Sequence, residues 1–234
     1  MSSRQGRETA RPSQLYKPVR VSRVTYTDFL YELPSEMVLH KPSGTLYLAC
    51  STPESRVHWL PSAEQFNVTG RSENDYIATI DSTGSKMQRL ELDKFPHARG
   101  LSVHGMDVVP SSTDSKTLFV YLVNHRAPSD GQDPAKVGAD SSIEIFQTTV
   151  GSRKLKHLKT VEDAIILTPN DIVGSADGKS FHFTNDHGYK IGFVCPVHVS
   201  CKHRRSCSSR LELCAMLLPL RLLLASVTLT RAAN

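Results

Sequence analysis

The chain has 234 residues, enough for one sizeable domain or two small ones, with 39% hydrophobic residues and only 7% aromatics. Residues 1–190 hold 22 Lys and Arg against 22 Asp and Glu, so the whole surplus of +5 falls in residues 191–234. The pI near 9.0 is therefore no sign of nucleic-acid binding by the main body, which has no basic patch interleaved with aromatics.

Met1–Arg23 is polar, carries five arginines and has no apolar run, so it is no signal peptide. Residues 1–30 read as a disordered leader. From Tyr31 the pattern becomes strand, turn, strand. Met37–His40 leads through the turn Lys41–Gly44 to Thr45–Cys50. Val57–Leu60 reads as a short strand closed by Pro61. Tyr76–Ile80 turns at Asp81–Gly84 into Lys86–Leu92, read as one strand. Two apolar runs follow, one starting at Ser102–Asp107 and one ending at Leu118–His125, with the turn-forming Pro110–Ser115 between them. Neighbouring strands of a hairpin run opposite ways, so His104 and His125 are expected at the same end of the sheet. After the long Pro-, Asp- and Gly-rich loop 126–141, Ile143–Val150 alternates clearly and Leu155–Val161 follows. Asp171–Val173 and Ser180–Thr184 flank Asp177-Gly178-Lys179, a strong hairpin signal. Long helical periodicity is missing.

Three segments share one layout: Glu36 to Ala49, His104 to Tyr121 and Asn170 to Phe183. Each opens on a potential ligand, runs through a short apolar strand, turns, and returns through a second strand. The starts are 68 and 66 residues apart. Such repeats suggest the blades of a β-propeller, whose inner strands line a central channel, with Glu36, His104 and Asn170 facing one axial site. A β-sandwich is the alternative.

After Gly188 the strand pattern stops. The stretch CKHRRSCSSR and the leucine-rich segment behind it hold four of the five cysteines, Cys195, Cys201, Cys207 and Cys214, at spacings that match no common zinc motif. The apolar part is broken by Glu212, Pro219 and Arg221, which makes a poor transmembrane span. It is read as sequence outside the fold, a membrane-surface segment being the weaker alternative. With no signal peptide and no convincing span, the default compartment is the cytoplasm.

Glu36, Asn170 and Asp171 offer hard oxygen ligands, suited to calcium rather than zinc. Calcium takes about six to eight oxygens, so these residues alone do not complete a site. Taken singly, Asn170-Asp171 after Pro169 is also an ordinary turn, and each histidine an ordinary histidine. In favour of chemistry is the convergence of His104 and His125, since imidazole titrates near neutrality and can take a proton from water. No G-x-S-x-G, H-E-x-x-H, Walker A or G-x-G-x-x-G is present.

Six short segments in order carry a resemblance: SVHGMD at 102–107, LFVYLVNH at 118–125, SIEIF at 142–146, LKHLKTV at 155–161, PNDIV at 169–173 and FTNDH at 183–187. Over Leu33 to Gly188 the chain resembles the serum paraoxonase/arylesterase family, its fungal members in particular. The resemblance implies an all-β fold, a six-bladed β-propeller with two calcium ions in its tunnel, one catalytic and one structural. It implies hydrolysis of small-molecule aryl esters or lactones. Carried over by position, His104 and His125 match the proposed histidine dyad. Asn170 and Glu36 match ligands of the catalytic calcium, and Asp171 and the Met106 carbonyl match ligands of the structural one. Met37 stands where an acidic residue usually follows Glu36. Residues 31–190 are thus expected to be a partial propeller, roughly its first half. Residues 191–234 are expected to be a non-family tail, as a truncated or frameshifted gene would leave. The second hypothesis for the function is an inactive propeller fragment or a non-catalytic binding protein.

Overall fold

A computed structural model describes residues 33–81, 83, 87–192 and 223–228. The expected leader, 1–30, lies outside them, as does most of 191–234.

The first sheet begins with β1 (Leu33–His40) and β2 (Thr45–Ser51), paired antiparallel through a turn in which Gly44 takes φ 69°. The chain then leaves the sheet for a six-residue helix, α1 (Pro53–His58), and a small hairpin of β3 (Trp59–Leu60) and β4 (Gln65–Phe66). It returns as β5 (Tyr76–Ile80) and β6 (Met87–Arg89), giving the order β1-β2-β5-β6. The second sheet is a meander of β8 (Val103–Pro110), β9 (Thr117–Arg126), β10 (Asp140–Thr149) and β11 (Lys154–Val161), with β7 (Glu91–Asp93) added parallel to β11. Helix α2 (Pro134–Val137) sits in the long loop between β9 and β10. The third sheet has the order β12 (Pro169–Gly174), β13 (Ser180–Asn185), β14 (Leu223–Thr228). No helix among the described residues is long and apolar enough to cross a membrane.

Three expectations change. Val57–His58 is helical, because Thr52 caps α1 by accepting from Ser55 N at 3.1 Å and Pro53 pre-sets its first turn. The expected strand Lys86–Leu92 is two strands in two sheets. The chain crosses between them at Leu90, which is buried, donates to Ile77 O at 2.8 Å and hands Glu91 N to Arg153 O at 2.9 Å. Strand structure also resumes beyond Gly188. Leu223–Thr228 pairs antiparallel with β13, Leu223 opposite Asn185 and Thr228 opposite Ser180, so this apolar stretch covers what would be an open sheet edge.

The middle of the second sheet, β9 and β10, is buried on both faces, which is why β9 is a continuous apolar run. Leu118, Val120 and Leu122 belong to a core shared with Tyr47, Ala49 and Ile77 of the first sheet. Phe119, Tyr121 and Val123 face the other way, with Ile172, Phe181 and Phe183 of the third. Strands β1 and β12 both lie against β8. A Cβ on Gly105 of β8 would lie 2.1 Å from Asn170 O of β12, so only glycine lets these backbones meet. Ser35 Oγ of β1 donates to Val103 O of β8 at 3.4 Å.

These three strands share one irregularity. In β1 the register slips between Pro34 and Glu36, in β8 between Val103 and Met106, and in β12 between Pro169 and Ile172. Each time the first strand carries one residue more than its partner, the signature of a β-bulge. The bulges fall on Ser35, on His104-Gly105 and on Asn170-Asp171. They release these residues from the ladder at the same end of three adjacent strands.

Candidate functional site

The bulge in β8 turns His104 toward β12, where its Nε2 lies 3.0 Å from Asn170 Oδ1. Opposite, at the end of β9, His125 is fully buried, with its ring centroid 5.1 Å from that of His104 and the planes at 51°. No hydrogen bond joins the two rings. His125 Nδ1 lies 2.9 Å from Ser141 Oγ, and its Nε2 is buried with no hydrogen-bond partner. Its backbone is pinned from both sides: its N–H donates to Ser102 O at 2.8 Å, and Trp59 Nε1 donates to its carbonyl at 2.8 Å.

A cation sits beside the histidines. Arg56 of α1 donates to Ser35 Oγ and Val103 O, and its Nη1 lies 3.4 Å from His104 Nδ1. A guanidinium only donates, so this contact asks for the lone pair on Nδ1. The proton of His104 then resides on Nε2 and is donated to Asn170 Oδ1. Burial and the Arg56 charge push the His104 pKa down, against the pull of Asn170, Asp186 and Asp171. Burial, then His104 and Arg56, push His125 well below the usual imidazole value. The pair is therefore neutral at neutral pH, as a general base needs.

Asn170 is oriented by its other end, where Nδ2 donates to Asp186 Oδ1 at 2.6 Å. Asp75 closes the floor by accepting from Val103 N at 2.9 Å. Burial raises its carboxyl pKa, opposed by hydrogen bonds from Ser72, Val103 and Ser51 and by the Arg56 charge. Behind the site, Asn124 Oδ1 accepts from Ser102 N at 2.9 Å, while its Nδ2 donates to the buried Glu144 carboxylate at 3.2 Å.

The structure thus brings His104, His125 and Asn170 into direct contact and sets Asp171 close by, while Glu36, Asp171 and Met106 make no side-chain hydrogen bond to those three. Glu36 accepts from its own Met37 N at 3.0 Å and has no hydrogen bond to His104 or Asn170. Asp171 turns its Oδ1 to Ile172 N at 2.8 Å. Met106 is buried opposite Leu122, where the ladder resumes after the bulge. In the FTNDH segment, Asn185 Oδ1 accepts from Leu167 N and Thr168 N, so it ties a loop, whereas Asp186 reaches the site.

Glu36, Asn170, Asp171 and Asp186 all present oxygen, the donor chemistry calcium prefers. Each oxygen named above is turned to a nearby nitrogen, and among the described residues no group of three or more His, Cys, Asp or Glu could hold a metal ion.

Arg56, Asp75, Ser141, Trp59 and Asp186 carry no expectation from sequence. Arg56 had a readable signal, since Thr52-Pro53-Glu54 is a helix start that places it one turn in. The others act through tertiary contacts alone.

An Arylesterase family model matches residues 59–200 of the chain. Serum paraoxonase/lactonase 3 of Mus musculus is 26% identical over 119 residues, 51% of this chain and 30% of that protein. Serum paraoxonase/arylesterase 1 of Mus musculus is 27% identical over 185 residues, 74% of this chain and 48% of that protein. Serum paraoxonase/arylesterase 2 of Gallus gallus is 24% identical over 119 residues, 51% of this chain and 29% of that protein. The chain spans less than half the length of these relatives.

Proposed function

Because the chain belongs to the arylesterase family, we propose that its histidine site serves hydrolysis of a small-molecule carboxylic ester or lactone. The observation that carries this reading is the neutral pair His104–His125, aimed by a strand bulge and flanked by one cation and one oriented amide. In this mechanism Arg56 Nη1 turns from His104 Nδ1 to the carbonyl oxygen that gains charge, and the freed Nδ1 lone pair takes a proton from the attacking water and later returns it to the leaving oxygen. His125 excludes water from one face of that ring, and Arg56 is the positive group nearest the oxygen that gains charge. Asn170, fixed by Asp186, keeps the proton on Nε2. Such base catalysis is worth roughly 10²- to 10⁴-fold in rate.

The three sheets with adjacent first strands and matching bulges support the reading of β1, β8 and β12 as the inner strands of consecutive blades. Six blades around two calcium ions is the complete form this proposal takes. The catalytic calcium would have to recruit Asn170 Oδ1 from His104, along with Glu36, and the structural one Asp171 and the Met106 carbonyl, and no step above is routed through either ion. That part is tested by thermal unfolding in a calcium titration: a ligand of the native state raises the midpoint. An unchanged midpoint at millimolar calcium removes the ion from the proposal.

The hydrolase reading is tested with phenyl acetate. His104→Gln is expected to lose about 10²-fold or more of the wild-type turnover. Equal turnover in the variant, or none in the wild type, sinks the reading. The second reading, a non-catalytic binding protein, is favoured by the oxygens that turn to local N–H groups rather than to one another. It predicts no turnover with or without calcium.

A further inference from the structure

A cavity of about 890 Å³ lies between the first and second sheets. Its wall includes Arg71, Asp75, Tyr76, Arg89, Arg99 and Leu101, and neither His104 nor His125 belongs to it.

Arg71 is the unusual member. Its side chain is 6% exposed, and its Nε and Nη1 are buried with no hydrogen-bond partner. Its ion pair with Glu73 is 3.8 Å long and made to a carboxylate that is 78% exposed, a weak counter-charge. Asp75 is a second negative charge acting on Arg71; one of its oxygens is taken by Val103 N, and Oδ1 is buried with no hydrogen-bond partner. The neighbouring Arg99 is satisfied by Asp140 at 2.6 Å and Ala127 O at 2.7 Å, and its charge adds to the positive field on Arg71. Arg89 is exposed, lies over the Tyr76 ring at 4.2 Å and spends one N–H on Asn74 O. A buried cation with idle donors is expensive unless an anion joins it.

We propose that this cavity binds a small monovalent carboxylate with an apolar body, its charge held by Arg71 and Arg89 and its body lying against the more accessible Val68, Leu92 and Pro128 of the same wall. The planar fork of arginine matches the two oxygens of a carboxylate. Asp75, Glu73 and Glu91 on the same wall disfavour a doubly charged anion such as phosphate. The size suits a small molecule. The proposal is independent of the hydrolase reading, and its test involves no turnover.

The test uses the full chain with benzoate as the probe, benzamide as the uncharged control and inorganic phosphate as the competing anion. Benzoate is expected to raise the thermal midpoint saturably, benzamide and phosphate to leave it in place, and Arg71→Met to abolish the response. No response of the wild type to about 10 mM benzoate overturns the proposal. So does a response shared by benzamide or phosphate, or one retained by Arg71→Met. If Arg71→Met does not fold, Arg89→Gln takes its place and is expected to weaken benzoate about tenfold, the worth of one charge-assisted bond. Unchanged affinity in that variant overturns the proposal equally.

Discussion

Glu144→Ala is expected to loosen the whole histidine site from behind. The wild-type carboxylate is 1% exposed and receives four donors: Asn124 Nδ2 at 3.2 Å, Ser142 Oγ at 2.8 Å, His157 Nε2 at 3.0 Å and Thr160 Oγ1 at 2.6 Å. Two of these have somewhere else to go, since Asn124 Nδ2 lies 3.4 Å from Gly100 O and one of Thr160 Oγ1 and His157 Nε2, 3.3 Å apart, can donate to the other. The other two lose their principal acceptor. Each stranded buried donor costs about 1–3 kcal/mol, so the variant is expected to lose about 2–6 kcal/mol. Glu144→Gln keeps the shape and one acceptor and is expected to lose about 1–2 kcal/mol. Urea unfolding at pH 7 measures both. The pH dependence has a definite sign. Burial pushes the Glu144 carboxyl up, but its hydrogen bonds from His157, Thr160, Ser142 and Asn124 together outweigh burial, so the folded pKa lies below the ordinary 4.5. The stability it contributes is present above the unfolded value and lost as pH falls through the folded one. The gap between wild type and Glu144→Gln should therefore close in acid. A loss below about 1 kcal/mol in Glu144→Ala, or a pH-independent gap, would refute the reasoning.

Gly105→Ala would place a Cβ 2.1 Å from Asn170 O, forcing β8 and β12 apart. Thermal unfolding should report a loss of about 1–3 kcal/mol, as for overpacked cores, and a variant of wild-type stability contradicts the close approach. Trp59→Phe removes the donor to His125 O and should cost about 1 kcal/mol in urea unfolding. Asp75→Asn keeps an acceptor for Val103 N without the buried charge. Because burial raises the Asp75 pKa, its favourable contribution is full below the unfolded value near 3.8 and fades as pH rises through the folded one. The asparagine variant should thus gain on the wild type between pH 3 and 7, and parallel stability curves would contradict this.

Local chemistry made much of the fold legible. Asp177-Gly178 announces its hairpin because Gly178 must take φ 71°, and the chain duly pairs β12 with β13 across it. His104 and His125 could be placed together because a hairpin relates its ends by simple geometry, and the 68- and 66-residue spacings lead to strands that are neighbours. What escaped is what depends on contacts far along the chain. Val57–Leu60 reads as β by residue type, and Trp59–Leu60 is a strand, but capping at Thr52 carries Val57–His58 into a helix, and with the helix comes Arg56. Leu90 carries no mark of a crossing between sheets. Glu36 matches its counterparts in position, yet its carboxylate turns to its own neighbour, a rotamer-level choice that no pattern encodes. Asp186 sat in a matched segment without a role because its partner, Asn170, lies 16 residues away on another strand.

The three matched bulges make the site a matter of parity. Along a strand every residue is odd or even, inward or outward, and one surplus residue reverses the count for all that precede it. Losing a single codon at Gly105 would leave the composition, the hydrophobic runs and the hairpin turn almost untouched. It would also return His104 to the even count and rotate its imidazole to the opposite face of the sheet. For this chain, the length of a strand down to one residue is as much a part of the site as the histidine it carries.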